Sequence, residues 1–244
     1  MDQQRKAQLK QDQFVNTTTH GIEWANENRK SVLVTMSILL VVIVVVVLIG
    51  VVANSRANAA SDAFGSAMET YQTGLATPGQ PPLPGAKTFA SAAERAKAAN
   101  AQFTQVANQY SWTTAGHNAR YFQGLTYLEE GQTQPAESTL KEVAGGWNKG
   151  LASLAKLALA DLYRQTGKTQ QAIAEYNDLT NKPTDAVPAG VAQLQLADLY
   201  ANNGNSEQAR VIYAKLKDKD AKGAAGVIAA EKLNPTAAPA APQL

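Results

Sequence analysis

The sequence predicts an all-α protein in which a single N-terminal transmembrane helix is followed by a solenoid of helical hairpins. Two observations predict it. The run from Val32 to Ala53 is apolar and carries no charge. Further along, Gly131, Gly167 and Gly204 recur at intervals of 36 and 37 residues, and a tyrosine precedes each glycine by four positions. A period of this length is typical of solenoids built from helical hairpins.

The apolar run is long enough to cross a bilayer. Roughly 22 residues at ~1.5 Å of rise give ~33 Å, against a hydrocarbon core of ~30 Å. A cleaved signal peptide is the alternative, because Ala57-Asn58-Ala59 fits a small-x-small cleavage site. The run exceeds the ~7–15 apolar residues of a signal peptide, however. We therefore expect an uncleaved transmembrane helix over 31–54.

Basic residues are distributed unequally around this helix. Five precede it, at positions 5, 6, 10, 29 and 30, whereas Arg56 is the only one between Asn54 and Ala86. Cytoplasmic flanks of membrane helices are enriched in Lys and Arg. We therefore expect 1–30 to be a cytoplasmic tail and the remainder of the chain to be extracytoplasmic.

Proline and glycine divide the part after the membrane helix. Phe64, Met68, Tyr71 and Leu75 form one helical stripe, which predicts a juxtamembrane helix over 55–76. The segment 77–86 contains four prolines and predicts a linker. The repeat domain is expected over 87–233. The Pro/Ala-rich segment 234–244 is expected to be a disordered tail.

Composition argues against several classes of function. From Arg56 onwards the chain has 17 basic and 16 acidic residues, which disfavours a nucleic-acid partner. There is no cysteine for disulfides or thiolate metal sites. The two histidines, His20 and His117, fall on opposite sides of the predicted membrane, and no phosphate-binding glycine loop is present. We expect a protein that is not an enzyme, with no cofactor, no metal and no small-molecule substrate.

The repeated residues also predict the local geometry of each hairpin. The glycine should adopt a left-handed conformation where the first helix ends. Thr133, Thr169 and Ser206 follow two residues later, and we expect their side chains to cap the second helix. Small residues twelve positions apart, Gly124 and Ala136 in the first hairpin, should let the two helices approach closely.

The order of small, aromatic, glycine, alanine, aromatic and aliphatic residues resembles the tetratricopeptide repeat. Repeats two and three match it best, at seven positions each; in repeat two these are Leu159, Ala160, Tyr163, Gly167, Ala172, Tyr176 and Leu179. Repeat one departs from the pattern with Gln123 and Leu140. Ala99, Phe103 and Val106 lie one period before Ala136, Leu140 and Val143. Their helix is therefore expected to be the second half of an earlier, degenerate repeat, and 221–233 a final capping helix.

The resemblance implies that the first helix of each repeat lines an inner groove that binds protein. The residues that it places there are Tyr121, Leu125, Leu128, Leu154, Leu157, Asp161, Arg164, Val191, Leu194, Asp198 and Asn202. Some relatives hold a C-terminal carboxylate at such positions, which Asp161 and Asp198 disfavour here. An apolar groove edged by carboxylates suits extended or partly unfolded polypeptide. The alternative is that several of these leucines only pack between hairpins.

The whole layout is similar to that of the YfgM family of bacterial membrane proteins. The resemblance implies an inner-membrane protein with a cytoplasmic N-terminus and a periplasmic repeat domain. It also implies a chaperone-like ancillary subunit of the Sec translocon, whose groove binds unfolded polypeptide, a translocon subunit or a periplasmic chaperone. The alternative is a structural scaffold or assembly subunit of a larger membrane protein complex.

Overall fold

The computed structural model describes residues 24, 28–77, 79 and 87–234. The expected C-terminal tail beyond Asn234, most of the cytoplasmic tail and most of the Pro/Gly linker lie outside these residues. The chain divides into two units, Met1–Arg56 and Ala57–Leu244. Within the described residues the structure is helical, and a single isolated bridge pairs Leu75 with Phe89. The prediction of an all-α fold is confirmed for this part of the chain.

Nine helices are described. They are α1 (Arg29–Gln72), α2 (Ala92–Gln109), α3 (Thr114–Glu129), α4 (Thr133–Ala144), α5 (Lys149–Gln165), α6 (Thr169–Asn181), α7 (Ala189–Asn202), α8 (Ser206–Lys219) and α9 (Ala224–Leu233). The first of them, α1, covers the expected transmembrane segment and the expected juxtamembrane helix as far as Gln72; Leu75, expected in the helical stripe, lies beyond the helix and pairs with Phe89 instead. Helix α1 is the one helix of the described residues that is long and apolar enough to cross a membrane.

Three tight hairpins follow α2, formed by α3 with α4, α5 with α6, and α7 with α8. At their turns Gly131, Gly167 and Gly204 have φ angles of 75°, 73° and 80°, as the sequence predicts. The amide after each glycine donates to the carbonyl of the preceding tyrosine, as in the 2.8 Å bond from Gln132 to Tyr127. This pattern satisfies the last carbonyls of the first helix.

The predicted capping role of Thr133, Thr169 and Ser206 is wrong. Each is the first residue of its helix, and the N-cap positions belong to Gln132, Lys168 and Asn205, none of which caps with its side chain. The reason is geometric. The residue directly after the left-handed glycine already occupies the N-cap position. The hydroxyl residue is therefore the first residue inside the helix, where its side chain does not accept from the free amides of the first turn.

Three helices that follow longer connections, α2, α3 and α5, are in contrast capped by side chains, whereas α7 and α9 begin after Pro188 and Gly223 without such a cap. Ser91, Thr113 and Asn148 accept hydrogen bonds of 3.0–3.1 Å from the amide three residues later. These longer connections leave the capping residue free to adopt the extended backbone that a side-chain cap requires.

A fully buried alanine recurs at the same position in the first helix of each repeat, where that helix packs against neighbouring helices. Ala119, Ala155, Ala192 and Ala229 occupy this position in α3, α5, α7 and α9, and none of them is exposed. The terminal helix α9 packs against α7 and α8. It therefore occupies the place of a fourth first helix, consistent with the expected capping helix.

The helix α2 also occupies its expected place. Ala99, Phe103 and Val106 are buried, as are their equivalents one period later. The end of α1 packs against it, because the rings of Phe64 and Tyr71 lie 5.8 Å and 6.1 Å from that of Phe103. The last turns of α1 thus take the place of the missing first helix of the degenerate repeat.

Candidate functional site

The first helices α3, α5 and α7 carry the residues predicted to line the groove. Six of these side chains are half-buried and also pack against the hydrophobic core: Tyr121, Leu125, Leu128, Leu154, Leu157 and Leu194. Val191 is 38% exposed, and Asn202 is exposed. Each half-buried side chain therefore supports the packing between hairpins and still presents part of its apolar surface.

The two predicted groove carboxylates are bonded within their own hairpins. The hydroxyl of Tyr176 donates to Asp161 at 2.7 Å, and that of Tyr213 donates to Asp198 at 2.5 Å. Burial, and then the bond to the carboxylate, raises the pKa of both tyrosines above the ordinary value. Each bond ties the first helix of a hairpin to the second.

A cation accompanies each of these carboxylates. Arg164 lies 3.6 Å from Asp161 one turn further along α5, and the Nζ atom of Lys232 lies 2.9 Å from Asp198. Lys232 belongs to α9, so this ion pair joins the third hairpin to the terminal helix. The rim of the predicted groove is therefore less acidic than the two aspartates alone suggest.

Repeat one replaces the polar pair by an apolar pair. Leu125 and Leu140 stand at the positions of Asp161 and Tyr176; Leu140 is buried in the core around the second hairpin, and Leu125 packs against it. Gly124 lies beside them, and a Cβ atom at this residue would meet Leu140 Cδ2 at 2.7 Å. The first hairpin thus needs glycine where the other two have alanine.

The sequence analysis identifies both aspartates and both tyrosines of these pairs, but it does not predict the hydrogen bonds between them. The signal was available, because a spacing of fifteen residues separates Asp161 from Tyr176 and Asp198 from Tyr213. Lys232 was missed, and no repeated spacing could have revealed it, since the ion pair with Asp198 occurs once.

Two equivalent cavities lie where one hairpin connects to the next. The first, of 170 Å³, is lined by His117, Trp147 and the ion pair of Arg120 with Glu142, whose atoms are 3.5 Å apart. The second, of 360 Å³, has the ion pair of Lys156 with Asp178 at the same place one repeat later. Among the described residues, no group of three or more His, Cys, Asp or Glu side chains is arranged to hold a metal ion.

Glu137 forms an ionic cluster that joins the first hairpin to the second. It accepts from Lys141 and Lys168 at 2.7 Å each, and from the hydroxyl of Tyr163 at 3.2 Å. The bonds to Lys141 and then Lys168 lower the pKa of Glu137 to about 2. In repeat two the corresponding residue is Ile173, which packs against the core.

Comparison with known proteins agrees with this architecture. A family model described as a tetratricopeptide repeat-like domain matches residues 23–236. Two crystal structures of a Podosopora anserina protein described as a putative kinesin light chain with nearly identical TPR-like repeats, one of them a point variant, are 19% identical. Each alignment covers 57% of this chain and 76% of the other, with a TM-score of 0.47. No curated protein matches the chain. The chain belongs to the tetratricopeptide repeat-like domain family.

Proposed function

We propose that this protein is a membrane-anchored, extracytoplasmic module that binds polypeptide in the groove of its repeat domain. Tetratricopeptide-like repeats form protein-protein interaction modules. The observation that carries the proposal is the row of half-buried apolar side chains on α3, α5 and α7. Such a row offers apolar surface to a partner while each side chain stays packed against the core.

The chemistry of the groove favours extended or partly unfolded polypeptide. Its apolar side chains recur along successive helices, so they can receive apolar residues at several points of a stretched segment. Asp161 and Asp198 are held by tyrosine and a cation, and neither provides the basic group that a C-terminal carboxylate needs. Internal segments are therefore better ligands than free C-termini.

We assign the anchor to the apolar part of α1, within residues 31–54, with the N-terminus in the cytoplasm. The chain has no cysteine, so single cysteines report topology cleanly. Thr77→Cys should react with a membrane-impermeant maleimide on spheroplasts of the expressing cells, whereas Gln11→Cys should react only after lysis. Labelling of the second variant alone reverses the topology and makes the protein a cytosolic adaptor.

Within this class we propose a chaperone-like ancillary subunit of the Sec translocon, in the bacterial inner membrane, as in the YfgM family. The layout of a short tail, one apolar helix and a repeat domain supports it. A structural scaffold or assembly subunit of a larger membrane complex is the second candidate, because a groove of this kind also suits one fixed folded partner.

Co-purification after gentle solubilisation separates the two candidates. The chaperone-like subunit should recover translocon components, and the pure protein should suppress aggregation of several unrelated unfolded polypeptides. A scaffold should instead recover one stoichiometric complex and leave aggregation unchanged. Recovery with a respiratory or photosynthetic complex, without any translocon component, overturns the first assignment.

A further inference from the structure

The first of the two cavities between hairpins, which we call the Trp147 cavity, is lined by two aromatic rings that have no hydrogen-bond partner. The ring of Trp147 lies edge-on to that of His117, with 5.9 Å between the ring centroids and 85° between the planes. Trp147 is 77% exposed. Neither ring forms a hydrogen bond with another of the described residues. An indole and a neutral imidazole each carry one N–H donor, so two donors are available to a ligand.

The equivalent cavity one repeat later is closed by bonds between its own side chains. Ser153 takes the place of the histidine, and its hydroxyl oxygen lies 2.7 Å from that of Thr184. Asp178 pairs there with both Lys156 and Lys182. A proline takes the place of the tryptophan. Of the two cavities, the Trp147 cavity is therefore the one that offers ring donors to a ligand.

The volume of the Trp147 cavity limits what it can hold. It measures 170 Å³, whereas pockets for small molecules and cofactors measure about 300–1,000 Å³. The cavity thus has room for about one side chain of a bound polypeptide. Part of its lining is apolar and comes from Ala107, Val143 and Leu151. This lining favours an uncharged side chain, because a charge buried there would lose its hydration.

The charged groups in the lining are already paired with each other. Arg120 Nε lies 3.5 Å from a carboxylate oxygen of Glu142, and the guanidinium also donates to Asn108 at 3.0 Å and to Gln123 at 3.1 Å. An anionic ligand would compete with Glu142 for Arg120, and a cationic ligand would compete with Arg120 for Glu142. The cavity therefore suits an uncharged ligand that brings hydrogen-bond acceptors to the rings.

We propose that the Trp147 cavity binds a proline residue of a partner polypeptide, in a segment that adopts the polyproline II conformation. This conformation has no internal hydrogen bonds, so its backbone carbonyls are free to accept from the two rings. Proline itself has no backbone N–H that the apolar lining would leave unpaired. In an α-helical ligand, by contrast, the carbonyls are already bonded within the helix. Aromatic side chains line other sites that recognise proline-rich segments.

The Trp147 cavity is separate from the predicted groove. Among the described residues that line the cavity there is none of the predicted groove residues. From α3 the cavity takes His117 and Arg120, whereas the groove residues of that helix are Tyr121, Leu125 and Leu128. The inference thus goes beyond the proposed function, and it does not require that the groove bind unfolded polypeptide.

Fluorescence of Trp147 reports whether its ring contacts the ligand. The chain has three tryptophans, so Trp24→Phe with Trp112→Phe leaves Trp147 as the only reporter. The probe is acetylated and amidated decaproline, and the control is a decapeptide of alternating glycine and serine. Decaproline should shift the emission of Trp147 to shorter wavelength in a saturable way, because the bound peptide removes the ring from water. The control peptide should leave the emission unchanged.

Calorimetric titration of the full chain in detergent with decaproline assigns the binding to the cavity. Trp147→Ala should weaken binding at least about tenfold, the loss typical of an aromatic residue at the centre of a binding site. Trp112→Ala is the matched control, because this tryptophan is 56% exposed in the connection between α2 and α3 and does not line the cavity. It should bind decaproline as the unchanged protein does. Circular dichroism verifies that both variants fold.

The outcomes that overturn the proposal are distinct. Decaproline that does not bind saturably overturns it, as does equal affinity for decaproline and the glycine–serine peptide. Equal losses in Trp147→Ala and Trp112→Ala also overturn it, since the effect would then not depend on the cavity. Val191→Asp, on the groove helix α7, should bind decaproline unchanged. A loss in that variant would assign decaproline to the groove and not to the Trp147 cavity.

Discussion

The first hairpin and the two that follow it share one backbone design but join their helices differently. In the first, Leu125 and Leu140 pack against the core, and Gly124 leaves room for the leucine. In the second, Asp161 accepts a hydrogen bond from Tyr176, as Asp198 does from Tyr213 in the third. The same position of the proposed groove is therefore apolar in one repeat and polar in the others.

This difference shows that the residue types at two facing positions, one on the first helix and one on the second helix of a hairpin, change together from repeat to repeat. The first helix has an aspartate where the second helix carries a buried tyrosine whose hydroxyl donates to it, as in the second and third hairpins. It has a leucine where the second helix carries a leucine, as in the first hairpin. The apolar end of the proposed groove, at Tyr121, Leu125 and Leu128, is consequently a property of the whole first hairpin.

The largest loss of stability should come from replacing one residue of the polar pair in the second hairpin by the leucine that the first hairpin has there. Tyr176→Leu removes a fully buried ring and leaves Asp161 without its hydroxyl donor. We expect the free energy of unfolding to fall by about 2–4 kcal/mol, the range of large-to-small changes in a core. Urea unfolding of the full chain in detergent, followed by circular dichroism, measures it.

The double variant Asp161→Leu/Tyr176→Leu sharpens this prediction. All variants carry Ala160→Gly, which supplies the glycine that the first hairpin has beside its leucines. In this background the double variant recreates the apolar pair, so its loss of unfolding free energy should be smaller than the sum of the two single losses by about 1 kcal/mol. Strict additivity would show that the two positions are independent and that the paired replacement between repeats has no energetic basis.

A smaller loss is expected when the first hairpin receives the alanine of the other two. Gly124→Ala places a Cβ atom 2.7 Å from Leu140 Cδ2, and overpacking of this kind costs about 1–3 kcal/mol. Gly65→Ala is the matched control, because nothing lies within 4 Å of the added atom; there the change should stabilise the helix. Equal effects in the two variants would contradict the steric account.

The smallest change in stability should appear at low pH, when protonation of Glu137 weakens the contact between the first two hairpins. The lysine bonds hold the pKa of Glu137 at about 2, below its ordinary 4.5. The stabilisation is thus fully present above pH 4.5 and is lost as pH falls towards 2. The difference in unfolding free energy between the protein and Glu137→Gln should shrink over this window.

Glu175 provides a control of opposite sign on the next hairpin. Burial raises its pKa, so its carboxyl group stabilises the fold at low pH and loses that contribution as pH rises through the folded-state value. Glu175→Gln should therefore gain stability relative to the protein as pH rises. Parallel trends for the two variants would contradict the assignment of Glu137 to an ionic contact.

Sequence reasoning predicted the features that depend on local conformation or on long periodic patterns. The three glycines could be placed because the hairpin turn requires a positive φ, and α1 because its apolar run is long. It failed at Thr133, whose capping role depends on the register of one residue after the turn. It also missed the ion pair of Lys232 with Asp198, since a single contact between distant helices leaves no repeated pattern.

Binding of an unfolded polypeptide to two matched valine variants tests the central claim most directly. Val191 lies on the groove helix α7 and is 38% exposed; Val211 lies on the second helix of the same hairpin and is 48% exposed. With reduced and alkylated lactalbumin as the probe, Val191→Asp should weaken binding about tenfold, or ~1.4 kcal/mol. Val211→Asp should bind as the unchanged protein does. Equal affinity of the two variants, or a loss confined to Val211→Asp, would contradict a groove formed by the first helices.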